Sequence, residues 1–256
     1  MRFSKYLLPL IGCFIGTATA TAKEIVIASG EWPPFQGKNI ENNGFATELV
    51  RKAFANSGSK EKVNIKFKYF TWSRSLDFTR DGTTHATFLW SHKKDREKDF
   101  LYSDKLVDVS YVLFHLKKTK LEWKTVPDLK KFKIGITEGY SYGKEFDQAA
   151  SEGVLKVSAV PKDLQNFKKL VAGRIDIFPN ELNAGYELIK ANFSAKERAN
   201  LTHHPTALRN APHYLLFSKK YKESQELLEL FNRGLHKLKK TNEYNKIVGK
   251  FTASKS

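Results

Sequence analysis

The stretch FKIGITEGYSYGKEF, residues 132–146, decides how the chain is read. Ile134-Gly135-Ile136-Thr137 has the apolar, β-branched character of a strand. The residues from Tyr140 to Phe146 read as the opening of a helix. A strand that feeds a helix through a short glycine-bearing turn is the building unit of an α/β sheet. A helix N-terminus leaves backbone N–H groups unpaired and carries partial positive charge. Gly139 allows close backbone approach, and Ser141 can cap the helix or offer its hydroxyl outward. Together they suit a small anion, although an ordinary cap after a strand is the plainer reading of the same residues. Tyr140 and Tyr142 either wall a cleft or pack on their own lobe. No nucleophile elbow, phosphate loop or dinucleotide fingerprint accompanies the turn.

The same unit recurs on both sides. Residues 24–28 form a short β run. Phe45, Leu49, Val50, Ala53 and Phe54 fall on one helix face, and Val63, Ile65, Phe67 and Tyr69 alternate as a half-buried strand does. A short helix with Leu76 and Phe78 follows, then a strand over 85–90. The pattern restarts with strands at 109–116, 134–137, 154–160 and 175–178, separated by helices that include Leu164 to Val171 and a segment from Leu182. A strand at 214–217 precedes a long amphipathic helix with Leu227, Leu228, Phe231, Leu235 and Leu238. Two similar α/β units, with a strand and helix left over, predict two lobes in which the tail of the chain returns to the first.

The first 22 residues stand apart. Arg2 and Lys5 precede the short apolar run 6–15, and Ala18-Thr19-Ala20-Thr21-Ala22 supplies small residues for cleavage. This reads as a secretory signal, too short to span a bilayer. The single cysteine, Cys13, lies within it, in a box resembling a lipoprotein cleavage site, but too few apolar residues precede it for lipid anchoring to be the reading. The exported chain then has no disulfide, and its core must suffice. The formal charge is +17. Its lysines are spread along the chain rather than gathered in a motif, and together with export this argues against nucleic acid. His203-His204 lacks a second group of metal ligands and is followed by Pro205, so a loop is expected there. No cofactor or metal is implied.

Four stretches carry a family resemblance in their order and spacing: ASGEWPPF (28–35), DREKDFLYSDKL (95–106), KIGITEGYSYG (133–143) and LVAGRIDIFPNE (170–181), with LHKLKKTNEYNKI (235–247) as a terminal helix. Over nearly the whole exported chain the sequence resembles the family 3 periplasmic solute-binding proteins, whose best-known members bind polar amino acids. The resemblance implies a two-lobe, type II (Venus-flytrap) α/β fold with two hinge crossings. Lobe 1 would be 23–108 plus 214–256, and lobe 2 would be 109–213. It places Arg96 as the carboxylate clamp, a role that a guanidinium fills through paired hydrogen bonds. It places Gly139, Tyr140 and Ser141 against the same carboxylate, and Glu181 or Asn180 against an ammonium, although Glu181 stands where the family usually has Asp. Trp32 and Trp72 match ring positions. Trp90 and Ser91 lie near the ligand-facing loop, and Arg74, two residues after Trp72, reaches either the cleft or the surface. Phe88-Leu89-Trp90 replaces the small hydroxyl residues usual there, in a loop one residue short.

The resemblance therefore implies a monomeric, non-catalytic protein that binds a small amino acid or related carboxylate and delivers it to an inner-membrane ABC permease or to a sensor receptor. A periplasmic dehydratase on the same fold, with Glu181 or His85 as general acid, is the alternative.

Overall fold

A computed structural model describes residues 23–60 and 62–252, so the signal segment and Cys13 lie outside the described residues. The first half runs β1 (Lys23–Ser29), α1 (Phe45–Ala55), β2 (Val63–Tyr69), α2 (Trp72–Arg80), β3 (Ala86–Ser91), β4 (Phe100–Tyr102) and β5 (Val107–Leu116). The second half runs β6 (Lys133–Thr137), α3 (Lys144–Ser151), β7 (Lys156–Val160), α4 (Asp163–Val171), β8 (Ile177–Glu181), α5 (Leu182–Asn192), α6 (Ala195–Asn200) and β9 (Leu201–His203). The chain closes with β10 (Arg209–Ser218), α7 (Ser224–Lys239) and α8 (Asn242–Thr252).

The strands order as β2-β1-β3-β10-β5-β8-β6-β7, with β4 on β10 and β9 on β5. β1 is parallel to β2 and β3, and β6 is parallel to β7 and β8, as crossover helices require. β5 and β10 run antiparallel to each other and join the two parallel groups. One apolar core gathers Ile25, Leu49, Phe54, Phe88, Leu215, Phe231 and Leu235. The other half of the molecule has two, around Leu113, Ile134, Phe146 and Ile177 and around Phe114, Phe167, Phe178 and Ile189. The chain's tail thus returns to the first core. Phe231 of α7 packs against Phe54 of α1 at 5.4 Å between ring centroids.

The two crossings are one ribbon. β5 and β10 pair from Val107↔His213 to Tyr111↔Arg209. Along it Val109, Ala211 and His213 are buried while Asp108, Asn210 and Pro212 are exposed. This period of two gives the ribbon one dry face and one wet face.

Several expectations shift. The helix expected near Tyr140 begins at Lys144, after Gly143 at φ 115, because six loop residues separate it from β6. β8 extends to Glu181, so Asn180 and Glu181 are strand residues. β10 starts at Arg209 instead of 214, because the alternation of the crossing ribbon tolerates Pro212 on its solvent face. β4, β9 and α6 were not expected. His203, expected in a loop, pairs with Phe114 in β9.

Candidate functional site

Parallel sheets open their binding crevices beyond the carboxyl ends of the strands, where helix N-termini point outward. On lobe 1 these ends are Ser29-Gly30 of β1 and Trp90-Ser91 of β3. The loop after β1 folds back on itself: Trp32 N–H donates to Gln36 O at 2.8 Å, and Gln36 N–H returns to Trp32 O at 3.1 Å. Gln36 Nε2 donates to Gly30 O at 2.8 Å from a fully buried position. Trp32 is thereby fixed, stacked on Phe35 at 4.5 Å. Trp72 meets it edge to face at 6.1 Å and meets Trp90 edge to face at 5.2 Å. A Cβ at position 30 would lie 2.4 Å from the Trp72 indole, so only glycine lets the ring settle on that backbone.

Trp90 Nε1 donates to Thr87 Oγ1 at 2.9 Å, which orients the ring as a platform. The Arg96 guanidinium lies over it, 4.7 Å from the centroid, and donates to Ser91 O at 3.2 Å. Arg96 is half-buried, and among the described residues no carboxylate stands within ion-pairing distance of it. Trp32, Trp72, Trp90, Ser91 and Arg96 thus form one continuous lip. Arg74 is not part of it. Two residues along a helix point to well-separated faces, and Arg74 is exposed, lying over Phe78 at 4.8 Å and Phe70 at 5.6 Å. Beside the platform, β10 shifts register between Tyr214 and Leu215, and the facing Leu89 adopts φ 64.

The lobe 2 lip is polar. Gly139 adopts φ 76, with nothing within 4 Å of the place its Cβ would occupy. Tyr140 is 45% exposed, whereas Tyr142 is 2% exposed and belongs to the core. The Tyr142 hydroxyl accepts the Thr137 N–H at 2.7 Å. Of the two tyrosines, only Tyr140 is therefore free to face a solute. Ser141 does not cap α3. Its hydroxyl donates to Asp147, and Asp147 Oδ1 takes the Tyr142 N–H at 2.9 Å.

Glu181 is 1% exposed and caps α5, its Oε2 accepting the Ala184 N–H at 2.6 Å and its Oε1 the Asn183 side-chain amide at 3.2 Å. Burial pushes its carboxyl up to about 7, against the pull of those donors. Asn180 is 2% exposed, and its Oδ1 accepts the Glu181 N–H at 2.6 Å. Its Nδ2 has no acceptor at hydrogen-bond distance, although it lies near enough to Asp163 to favour that carboxylate. Asp163, at the start of α4, is held by the Thr137 hydroxyl at 2.5 Å, and burial raises its carboxyl. Both carboxylates at this lip are thus committed to their own lobe.

The crossing ribbon links the lips. Ser91 pairs with His213, and Glu181 pairs with Tyr111, itself opposite Arg209. His213 and Arg209 are four residues apart, about 13 Å at the rise of a strand, a span suited to a small solute. His213 lies 6.1 Å from Trp32, and its Nδ1–H donates to Ala211 O at 3.0 Å. Burial drives its pKa down to about 4. Arg209 lies over the Tyr111 ring at 5.9 Å and reaches Ser141 O at 3.5 Å. Tyr111, Arg209, His213 and Asp163 carry no motif. The alternation of residues 209–213 is the signal that could have put Arg209 and His213 on one face.

Two lobes, a paired-strand crossing and a lip on each side define a binding protein that works by enclosing a guest. The family model of the bacterial extracellular solute-binding proteins, family 3, matches residues 25–254, and the chain belongs to that family. Solved structures share its type II periplasmic-binding-protein fold. The substrate-binding protein of an amino acid ABC transporter is 19% identical, with a TM-score of 0.63 over 89% of this chain and 98% of its own. An ancestral arginine-binding protein bound to arginine is 24% identical, with a TM-score of 0.67 over 89% and 97%. A histidine kinase sensor domain with similarity to periplasmic binding proteins is 20% identical, with a TM-score of 0.68 over 90% and 96%. No curated protein matches the chain. Among the described residues no helix is long and apolar enough to cross a membrane, and no three His, Cys, Asp or Glu side chains cluster as metal ligands.

Proposed function

We propose that this chain is a monomeric periplasmic receptor that encloses a small amino acid or related carboxylate between lobe 1 (23–108 with 214–256) and lobe 2 (109–213), and presents the closed form to an ABC permease. The observation that carries the reading is Arg96. A half-buried guanidinium lies over Trp90 at 4.7 Å, at the open end of β3, with no carboxylate of its own among the described residues, which suits it to a carboxylate brought from outside. Ser91, Trp32 and Trp72 complete its side of the cleft, and Gly139, Tyr140 and Ser141 face it from lobe 2. Closure is favoured only by contacts that the solute makes to both lips. Names of solved neighbours that mention amino acid transport and arginine binding support this solute class.

A sensory role is the second reading, favoured by the likeness to a histidine kinase sensor domain. In it the same closed form docks on a receptor. Catalysis is disfavoured by the state of the two candidate acids. Glu181 is consumed as a helix cap. His85 stacks on Tyr221 at 4.1 Å and accepts the Val26 N–H at 3.1 Å, just before the amino end of β3. Tryptophan fluorescence and thermal shift against amino acids and small organic acids test the proposal. Saturable binding lost in Arg96→Ala supports it, and binding unchanged in that variant removes the clamp.

A further inference from the structure

Arg209 is the group that the solute-binding reading leaves unexplained. It stands at the lobe 2 end of the crossing ribbon, on the face shared with His213 and opposite Tyr111. Three other arginines are well satisfied. Arg51 donates at 2.8 and 2.7 Å, Arg80 pairs with Asp77 and Asp99, and Arg198 donates to Lys190 O and Phe193 O at 3.3 and 3.0 Å. Arg209 has one hydrogen bond, at the 3.5 Å limit, to Ser141 O. Its position comes from the Tyr111 ring beneath it. A guanidinium has five N–H donors in a planar fork, so most of the donors of Arg209 are unspent. Among the described residues no carboxylate pairs with it.

Its surroundings are open. Arg209 borders a groove of about 570 Å³ lined also by Ser141, Gly143, Lys144 and Asn210. Glu145 and Asp147 border the same groove. Asp147 is already bonded to Ser141 and to the Tyr142 N–H. The carboxylates that a lobe 2 lip would need to hold an ammonium, Glu181 and Asp163, are occupied by Ala184, Asn183 and Thr137. Arg96 lies at the lobe 1 end of the crossing, bonded to Ser91 opposite His213, and Arg209 lies four residues from His213, about 13 Å along the ribbon. Of the carboxylates in the groove only Glu145 is unspent, and it makes no ion pair with Arg209.

Resting on the solute-binding reading, we propose that the solute carries two acidic groups, with one carboxylate held by Arg96 and the second by Arg209 in the groove beside Ser141. A small dicarboxylate, with or without an amino group, fits this division. Its monoamide does not, because one end would leave a guanidinium without its counter-charge.

The test uses matched acid and amide pairs: glutamate with glutamine, aspartate with asparagine, and succinate with succinamate. Each is titrated by calorimetry into the purified protein and into Arg209→Met and Arg209→Lys variants whose folding is checked by circular dichroism. We expect the acid of at least one pair to bind tenfold or more tightly than its amide. We expect that preference to vanish in Arg209→Met and to survive in part in Arg209→Lys. A wild-type protein that prefers an amide, or a neutral or basic amino acid run alongside, overturns the two-acid assignment while leaving solute binding intact. An acid preference that persists in Arg209→Met overturns the role of Arg209. Silence from every pair and from the full set of amino acids overturns the solute-binding reading and this inference with it.

Discussion

On the lobe 1 lip the groups proposed to meet a solute are carried by rings: Trp32, Trp72 and Trp90 touch in series, and Arg96 rests on the last of them. On the lobe 2 lip the groups are polar and mostly spent within the lobe. Asp147 holds the loop before α3, Glu181 caps α5, and Asp163 is tied to Thr137. The difference assigns the lips different work. On the proposed reading the first is a preformed clamp, whose removal should be felt in affinity. The second is a scaffold, whose removal should be felt in stability, with exposed Tyr140 and half-buried Arg209 as its least committed parts.

The largest expected effect follows from Arg96. Truncating one partner of a desolvated charge pair costs about 2–5 kcal/mol, so Arg96→Ala should weaken a confirmed ligand by about a hundredfold with little change in melting temperature. If it lowers the melting temperature and spares affinity, the two lips have been read the wrong way round. Next comes Gly30→Ala. The added methyl collides with the Trp72 indole, and overpacking of this kind costs about 1–3 kcal/mol, measurable by urea unfolding. It should also disturb ligand affinity, because the tryptophan series moves together.

The two lips should also titrate oppositely. Glu181 has a carboxyl raised to about 7, so folded protein keeps a proton that the unfolded chain has lost, and stability falls as pH rises from the usual carboxylate range through 7. His213, at the lobe 1 end of the ribbon, is lowered to about 4. The unfolded chain takes up its proton first, and stability falls as pH drops from about 6.5 towards 4. Melting curves across pH should therefore show a maximum between the two. Glu181→Gln should flatten the alkaline limb and leave the acid limb. The smallest effect is expected for Arg74→Ala. Its guanidinium lies on exposed rings outside the lip, and affinity should stay within about twofold; a larger loss would enlarge the lip to include α2's outer face.

Much of this was legible in the sequence. Apolar periodicity marks α1, β2, α4 and α7, and the return of the tail follows from the leftover strand and helix. The residues that gather at the lobe 1 lip stand out in the sequence, as tryptophans near strand ends and an arginine at a fixed spacing from Ser103-Asp104. The lobe 2 lip was less legible. Ser141 reads as a helix cap, yet Gly139 and Gly143 at positive φ bracket a loop that delays the helix to Lys144. Glu181 reads as a free acid, yet the strand carries it inside, where it caps the next helix. The alternation of residues 209–213 could give the face of Arg209 but not its surroundings, which come from Tyr111, about a hundred residues earlier. The φ of 64 at Leu89 marks it as the extra residue of a bulge in β3, set by pairing with a strand more than 120 residues later.

The central claim is that one solute engages both lips at once. Hydrogen–deuterium exchange on the protein, with and without the panel compound that gives the largest thermal shift, tests it most directly. We expect slowed exchange in two separate segments together, residues 90–96 and 139–143, with the crossing ribbon between them also protected. Protection confined to one lip, or appearing only away from both, would contradict it.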